Sequence, residues 1–223
     1  MLEKLKAGLV VSCQALEDEP LHGPQFMERM ALAAKEGGAV GIRANGPRDI
    51  RAIRASVDLP IIGINKRREA GYDAFITPSR EDALLVHEAG ADIIAIDATI
   101  QSRPEPLEHL IAYIKNQLGK MVMADVATVE DGLRAQQLGC DLVGTTLSGY
   151  TRETKQRMSK DPDFDLLRKL IAKLDIPVVA EGRIHTPEQA KEALRAGAFC
   201  VVVGGAITRP QEITRRFLEG MKE

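Results

Sequence analysis

Eight short runs of apolar and β-branched residues recur along the chain, each too short for a helix and too continuously apolar for a half-exposed strand. They are GLVVSCQA from Gly8, AVGIRA from Ala39, PIIGINK from Pro60, DIIAIDAT from Asp92, KMVMADVA from Lys120, DLVGTTLS from Asp141, IPVVAEGRI from Ile176 and FCVVVGGAI from Phe199. Between them the pattern changes to helical period. In PLEHLIAYIKNQLG, Leu107, Leu110, Ile111, Ile114 and Leu118 fall on one face, which predicts a helix laid against a sheet.

Helix starts and stops agree with that reading. Thr186-Pro187-Glu188-Gln189 combines an N-cap, a proline at the first helical position and a capping-box partner, and Ser79-Arg80-Glu81-Asp82 and Thr128-Val129-Glu130-Asp131 are weaker versions. Four segments ending at Ala39, Ala91, Cys140 and Ala198 place a glycine just before a strand, where it can take the left-handed conformation that ends a helix. Eight strands alternating with helices predict an α/β chain folded as one (β/α)8 TIM barrel, a single catalytic domain over 1–223. A doubly wound open sheet is the structural alternative.

Composition narrows the partners. Thirty Lys and Arg against thirty-two Asp and Glu give a formal charge of −2, so no global field favours nucleic acid or an anionic membrane surface. An anionic ligand must be held locally. No apolar run approaches the length of a membrane span and the N-terminal residues lack a secretory h-region, which predicts a cytoplasmic protein. Cys13, Cys140 and Cys200, widely spaced and without a CxxC pair, read as buried free thiols.

In a barrel of this kind the reactive groups gather at the C-terminal ends of the strands. Those positions are polar here: Ser12 and Gln14, Arg43, Asn65-Lys66-Arg67, Asp97, Asp125, Thr145-Thr146, Glu181-Gly182-Arg183 and Gly204-Gly205. Lys66 closes an apolar run, which predicts an ammonium in a partly desolvated pocket. An ordinary lysine, with a pKa of about 10.4, is neutral in only about one molecule in 2,500 at pH 7, so a base needs burial or cationic neighbours such as Arg43 and Arg67 to lower it. The alternative is that Lys66 merely pairs with a carboxylate or binds phosphate. Glu181, Asp125 and Asp97 each end a buried strand and are candidate acids, bases or hydroxyl anchors, with a structural ion pair the alternative for any one alone.

The last two βα loops, Glu181-Gly182-Arg183-Ile184 and Gly204-Gly205-Ala206-Ile207-Thr208-Arg209-Pro210, combine glycines with arginine where many barrels bind phosphate. The polar segment from Thr145 to Arg152 reads as a substrate-covering loop or a plain solvated one. His22, His87, His109 and His185 lack metal-ligand spacing, with His87 and His109 in predicted outer helices, and no GxGxxG or P-loop is present. No metal or cofactor is therefore expected. A lowered lysine in a barrel also suits a Schiff-base aldolase. A non-catalytic sugar-phosphate sensor would need the phosphate loops but not Lys66, Asp125 and Glu181.

Taken together, SCQALEDEPLH (12–22), GIRANG (41–46), PIIGINKR (60–67), ITPS (76–79), IDAT (96–99), MAD (123–125), GTTLSGYT (144–151), AEGRI (180–184) and VVGGAITRP (202–210) closely resemble the N-acetylmannosamine-6-phosphate 2-epimerase family of bacterial amino-sugar catabolism. The resemblance spans nearly the whole chain. It implies inversion at carbon 2 of an N-acyl hexosamine 6-phosphate, with Lys66 as catalytic base and Glu181 as its partner in handling protons or hydroxyls. It further implies that Gln14, Arg43 and Asp125 line the sugar, that Gly182, Arg183, Gly204, Gly205 and Arg209 surround the phosphate, and that the protein is a homodimer. Ala127 departs from the pattern, where a hydroxyl residue stands in many members; neighbouring Thr128 keeps an oxygen nearby.

Overall fold

The computed structural model describes residues 1–222; Glu223, the last residue of the expected domain, lies outside them. Eight parallel strands, β1 (Leu9–Cys13), β2 (Gly41–Asn45), β3 (Ile61–Ile64), β4 (Ile93–Asp97), β5 (Met121–Asp125), β6 (Leu142–Gly144), β7 (Val178–Glu181) and β8 (Val201–Val203), pair in sequence order. Strand β8 returns to β1, with Leu9 opposite Val201 and Val10 opposite Val202, so the sheet closes into a barrel and the open-sheet alternative is excluded. Each predicted strand is present.

Helices α1 (Pro24–Glu36), α2 (Pro47–Ser56), α3 (Arg80–Glu88), α4 (Leu107–Asn116), α5 (Val129–Gln137), α6 (Phe164–Lys173) and α7 (Pro187–Arg195) alternate with the strands, and a four-residue α8 (Gly205–Thr208) leads into α9 (Pro210–Gly220). The capping signals are used. Thr186 and Thr128 both form complete capping boxes, and Ser79 accepts a hydrogen bond from the Asp82 amide. The Thr128 box is stronger than its sequence suggested because Asp131 reaches back to the N-cap backbone as a longer Glu or Gln would. The glycines that end helices, Gly38, Gly90, Gly139 and Gly197, all have positive φ between 89° and 103°.

Side chains alternate along each strand, and the two faces form two apolar layers. Val11, Ile42, Ile61, Ile94, Val122, Val143, Val178 and Val201 point outward and meet the helices, including Leu110, Ile111 and Ile114 of α4. Val10, Ile62, Ile93, Met123, Leu142, Val179 and Val202 point inward and fill the barrel. A 3-10 turn (Leu2–Lys4) closes the lower end by delivering Leu5, which is fully buried in that inner layer. Gly41 makes room for it, since a methyl group there would meet the Leu5 side chain at 2.6 Å. This plug had no signal in the sequence pattern. Cys13, Cys140 and Cys200 are buried free thiols. Among the described residues no helix is long and apolar enough to cross a membrane.

Candidate active site

The inward-pointing series changes character at the upper end of the barrel. Two residues beyond Val10, Gly41, Ala95, Met123, Leu142 and Val179, the same face presents Ser12, Arg43, Asp97, Asp125, Gly144 and Glu181. The alternation continues past β3, from Ile62 and Ile64 to Lys66, where Lys66 bridges to Ile76 and its amide donates to Asn45 Oδ1 at 2.8 Å. Asn65 and Arg67 have the opposite phase and turn away to Asp82, at 2.8 and 3.0 Å. The expectation that Arg67 would depress the Lys66 pKa is therefore corrected. Arg43 has that effect as expected, and Arg209 takes the place of Arg67.

Arg43 organises the floor of the site. Its side chain is 1% exposed and crosses the barrel from β2 to meet Asp125 Oδ1 and Oδ2 at 3.0 and 2.5 Å and Glu181 Oε2 at 2.6 Å. Burial opposes its charge, but the two carboxylates outweigh burial and hold the guanidinium above its ordinary pKa. Thr146 donates to Asp125 Oδ1 at 2.5 Å, and Gly144 keeps space beside it because a methyl group there would collide with the end of Met123. Thr145 clamps the Glu181 backbone, accepting from its amide at 3.0 Å and donating to its carbonyl at 2.8 Å. Asp97 is held apart: its carboxylate accepts from the Thr99 amide and hydroxyl at 3.0 and 2.6 Å and pairs with Arg103, a structural anchor for its loop.

Lys66 and Glu181 are both displaced toward neutrality. Burial in the cleft, reinforced by Arg43 and Arg209, brings the Lys66 ammonium down to about 8 against the pull of Glu181 and Asp125. Burial pushes the Glu181 carboxyl up to about 7, with Asp125 adding to the rise and Arg43 and Lys66 opposing it. Lys66 keeps an open surface, yet that surface faces the cavity it lines rather than bulk water.

The cavity has a volume of about 390 Å³. Nine of the ten sequence-predicted site residues line it: Gln14, Arg43, Lys66, Glu181, Gly182, Arg183, Gly204, Gly205 and Arg209. Asp125 does not; it is fully buried behind Arg43 and Thr146 and accepts hydrogen bonds from both. Gln14 donates to Ser12 Oγ at 2.7 Å, leaving its buried Oε1 without a partner and available as an acceptor. At the opposite end, Gly182 and Arg183 have consecutive positive φ values of 108° and 56°, a conformation costly for arginine and typical of functional turns. The Arg183 guanidinium is already engaged, donating to the Ser148 and Asp161 carbonyls at 2.6 and 2.9 Å and lying 5.7 Å from the Tyr150 ring. Arg209 pairs with Glu19 at 2.7 Å.

The segment from Thr145 to Arg152 is no plain solvated loop. Thr145, Leu147, Ser148 and Thr151 are buried, Ser148 donates to Asp163 Oδ2 at 2.5 Å, and Thr146, Leu147 and Tyr150 line the cavity. The sequence reading missed His185, Thr208 and Glu212 as lining residues. His185 directly follows the AEGRI motif, so its place could have been read; Glu212 comes from α9 and carried no local signal. Ala127 packs in the inner apolar layer, and Thr128 Oγ1 caps α5, so the hydroxyl facing Asp125 is that of Thr146. Among the described residues no group of three or more His, Cys, Asp or Glu is placed to hold a metal ion.

Comparison with known proteins agrees over the full chain. Residues 27–223 match the family described as "Putative N-acetylmannosamine-6-phosphate epimerase". A relative from Caldanaerobacter subterraneus carrying the same description as a 2-epimerase is 52% identical, covering 100% of this chain and 94% of its own. One from Shouchella clausii is 51% identical, covering 100% and 99%. The solved structure of the N-acetylmannosamine-6-phosphate 2-epimerase from Clostridium perfringens superposes with a TM-score of 0.95 at 49% identity, covering 98% of this chain and 95% of that one.

Proposed function

The chain belongs to the N-acetylmannosamine-6-phosphate 2-epimerase family, and on that premise we propose that it interconverts N-acetylmannosamine 6-phosphate and N-acetylglucosamine 6-phosphate by moving protons between Lys66 and Glu181, without a metal ion. The observation that carries this reading is the pair of opposed displacements at one cavity: an amine lowered to about 8 beside a carboxyl raised to about 7. Groups this close to neutrality can give and take protons at physiological pH.

In the open-chain sugar, the hydrogen on carbon 2 is acidified by the adjoining aldehyde. Neutral Lys66 takes it, the C–H electron pair passes into a C1–C2 double bond, and negative charge forms on O1. Protonated Glu181 returns a proton to carbon 2 from the opposite face as the electron pair moves back. The Lys66 ammonium then loses its proton to water and the Glu181 carboxylate takes one from water, which restores the starting state with solvent-derived hydrogen on Glu181. Arg43 stays ionised throughout and keeps the net charge of the Arg43, Asp125, Glu181 and Lys66 cluster at zero in either resting form, which limits electrostatic reorganisation. Asp125 is a positioning residue for Arg43. Gln14 Oε1 accepts a hydrogen bond from the sugar, and the backbones of Gly182, Arg183, Gly204 and Gly205 together with Arg209 hold the phosphate several bonds away, fixing register.

The whole chain, 1–223, is one catalytic domain in this reading, active in the cytoplasm. It is also a homodimer. Helix α9 has no buried residue and exposes Phe217 and Leu218. The barrel wall beside β8 and β1, between α7 and α1, exposes an apolar strip that includes Leu9, Ala190, Leu194 and Ile207. These two apolar surfaces are covered by a second copy; sedimentation as a single-chain species would overturn that assignment.

Proton NMR of N-acetylmannosamine 6-phosphate in deuterated water containing a chelator tests the chemistry. Epimerisation should proceed, and each newly formed product molecule should carry deuterium at carbon 2 in the first turnovers. Transfer of the original hydrogen into product would sink the two-group scheme; loss of turnover with the chelator would sink the metal-free one.

A further inference from the structure

Arg209 stands between two carboxylates that are held with different firmness. Glu19, in the loop after β1, contacts Arg209 Nε at 2.7 Å, accepts from the Leu16 amide at 2.6 Å and from Gln211 Nε2 at 3.1 Å, and has a side chain 16% exposed. Glu19 is thus held in place by its own donors and pairs with the guanidinium by charge, while Arg209 Nε makes no aligned hydrogen bond among the described residues. Glu212, in the first turn of α9, lies 3.6 Å from Arg209 Nη1 and its carboxylate makes no hydrogen bond among the described residues. Its side chain is 35% exposed, and its Oε2 packs so closely on Gly205 that a methyl group there would collide with it. Arg209, Gly205 and Glu212 all line the cavity.

We propose that Glu212 is a displaceable counter-ion that competes with the substrate phosphate for Arg209. The proposal rests on the phosphate assignment made above. In the free protein the carboxylate occupies ground between Arg209 and Gly205. A phosphate dianion, with more charge and three acceptor oxygens, replaces it and engages the guanidinium through two parallel hydrogen bonds. Chemistry explains why such a competitor is useful. Substrate and product carry the same phosphate, so tighter phosphate binding stabilises ground states and transition state alike and does not raise kcat. A cradle without a competing anion would hold the product as firmly as the substrate. Glu212 loosens both, and Glu19 stays paired with Arg209 while the exchange occurs.

Inorganic phosphate is the probe, measured as a competitive inhibitor and by titration calorimetry. Glu212→Gln and Glu212→Ala should each strengthen phosphate binding and lower KM by about three- to fivefold, with kcat unchanged or reduced. Two variants are needed because a purely structural Glu212 would weaken binding in both. Unchanged or weaker phosphate binding in both, while Arg209→Met abolishes phosphate inhibition, would overturn the counter-ion role and leave the phosphate assignment standing. Phosphate inhibition indifferent to Arg209→Met would overturn the phosphate assignment and this inference with it.

Discussion

The lower and upper halves of the barrel interior are built on the same strands, two residues apart, and follow opposite rules. Below, Val10, Ile93, Leu142, Val179 and the Leu5 plug fill the tube with apolar atoms that need no partner. Above, Ser12, Arg43, Asp97, Asp125 and Glu181 occupy the same inward phase, and each needs an answering group in a place already closed to water. The lower half is stabilised by shape and burial. In the upper half, Arg43 keeps its charge in a buried place because Asp125 and Glu181 answer it, and Lys66 stands within that field without an ion-pair partner among the described residues. The difference teaches that stability and reactivity are separated along the strand direction by a single repeat of the pleat.

The sharpest way to break the comparison is at Lys66. Lys66→Met should lower kcat/KM by about 10⁴-fold while the far-UV circular dichroism stays unchanged, since a positioned general base contributes roughly that much. Activity within tenfold of the wild type would move the base elsewhere. Arg43→Met comes next. It leaves Asp125, fully buried, with only Thr146 and strands Glu181 beside it, so denaturant unfolding should show a loss of about 3–5 kcal/mol together with loss of turnover. An Arg43 variant that is inactive but fully stable would show that the cluster is not a structural unit.

The lower half should behave in the reverse way. Ile93→Ala removes inward-facing apolar volume from a fully buried position far from the polar layer and should cost about 2–4 kcal/mol of unfolding free energy. At a temperature where the variant remains folded, kcat and KM should stay within about twofold of the wild type. A kinetic defect larger than the stability defect would show that the two halves are mechanically coupled.

Much of this division was legible in the sequence. The strands, closed barrel and helix caps follow from local periodicity and capping chemistry, which depend on neighbours in the chain. Lys66, Arg43 and Glu181 were visible because a charge at the end of an apolar run keeps the inward phase of that run. What escaped detection depends on which residues meet across the barrel. Asp125 looks like Glu181 in sequence, each a carboxylate after a buried strand, yet Arg43 and Thr146 seal the first beneath the floor and leave the second at the cavity. Arg67 looked like a neighbour of Lys66 and has the wrong phase. Arg183 looked like a free phosphate fork, but its guanidinium braces Ser148 and Asp161, residues distant in sequence. Glu212 reaches the site only because α9 starts directly after Arg209, which puts its first turn at the cavity.

The smallest effect makes the comparison most pointed, because it has the opposite sign to the one expected at Ile93. Lys66 has a folded-state pKa of about 8, below its unfolded value, so the folded state binds its proton less well than the unfolded chain. Its contribution to stability is fully present above about pH 10.5 and is lost as pH falls through about 8. At pH 7 the wild-type fold therefore carries a desolvated ammonium that Met would not. Lys66→Met should raise the unfolding free energy there, by no more than about 1 kcal/mol because the amine remains open to the cavity and is partly screened. Denaturant midpoints measured from pH 6 to pH 10 should show the gain at the acid end and its disappearance toward the alkaline end. A destabilised Lys66→Met at pH 7 would place Lys66 among the groups that hold the barrel together, and the boundary between the two halves would then lie above it.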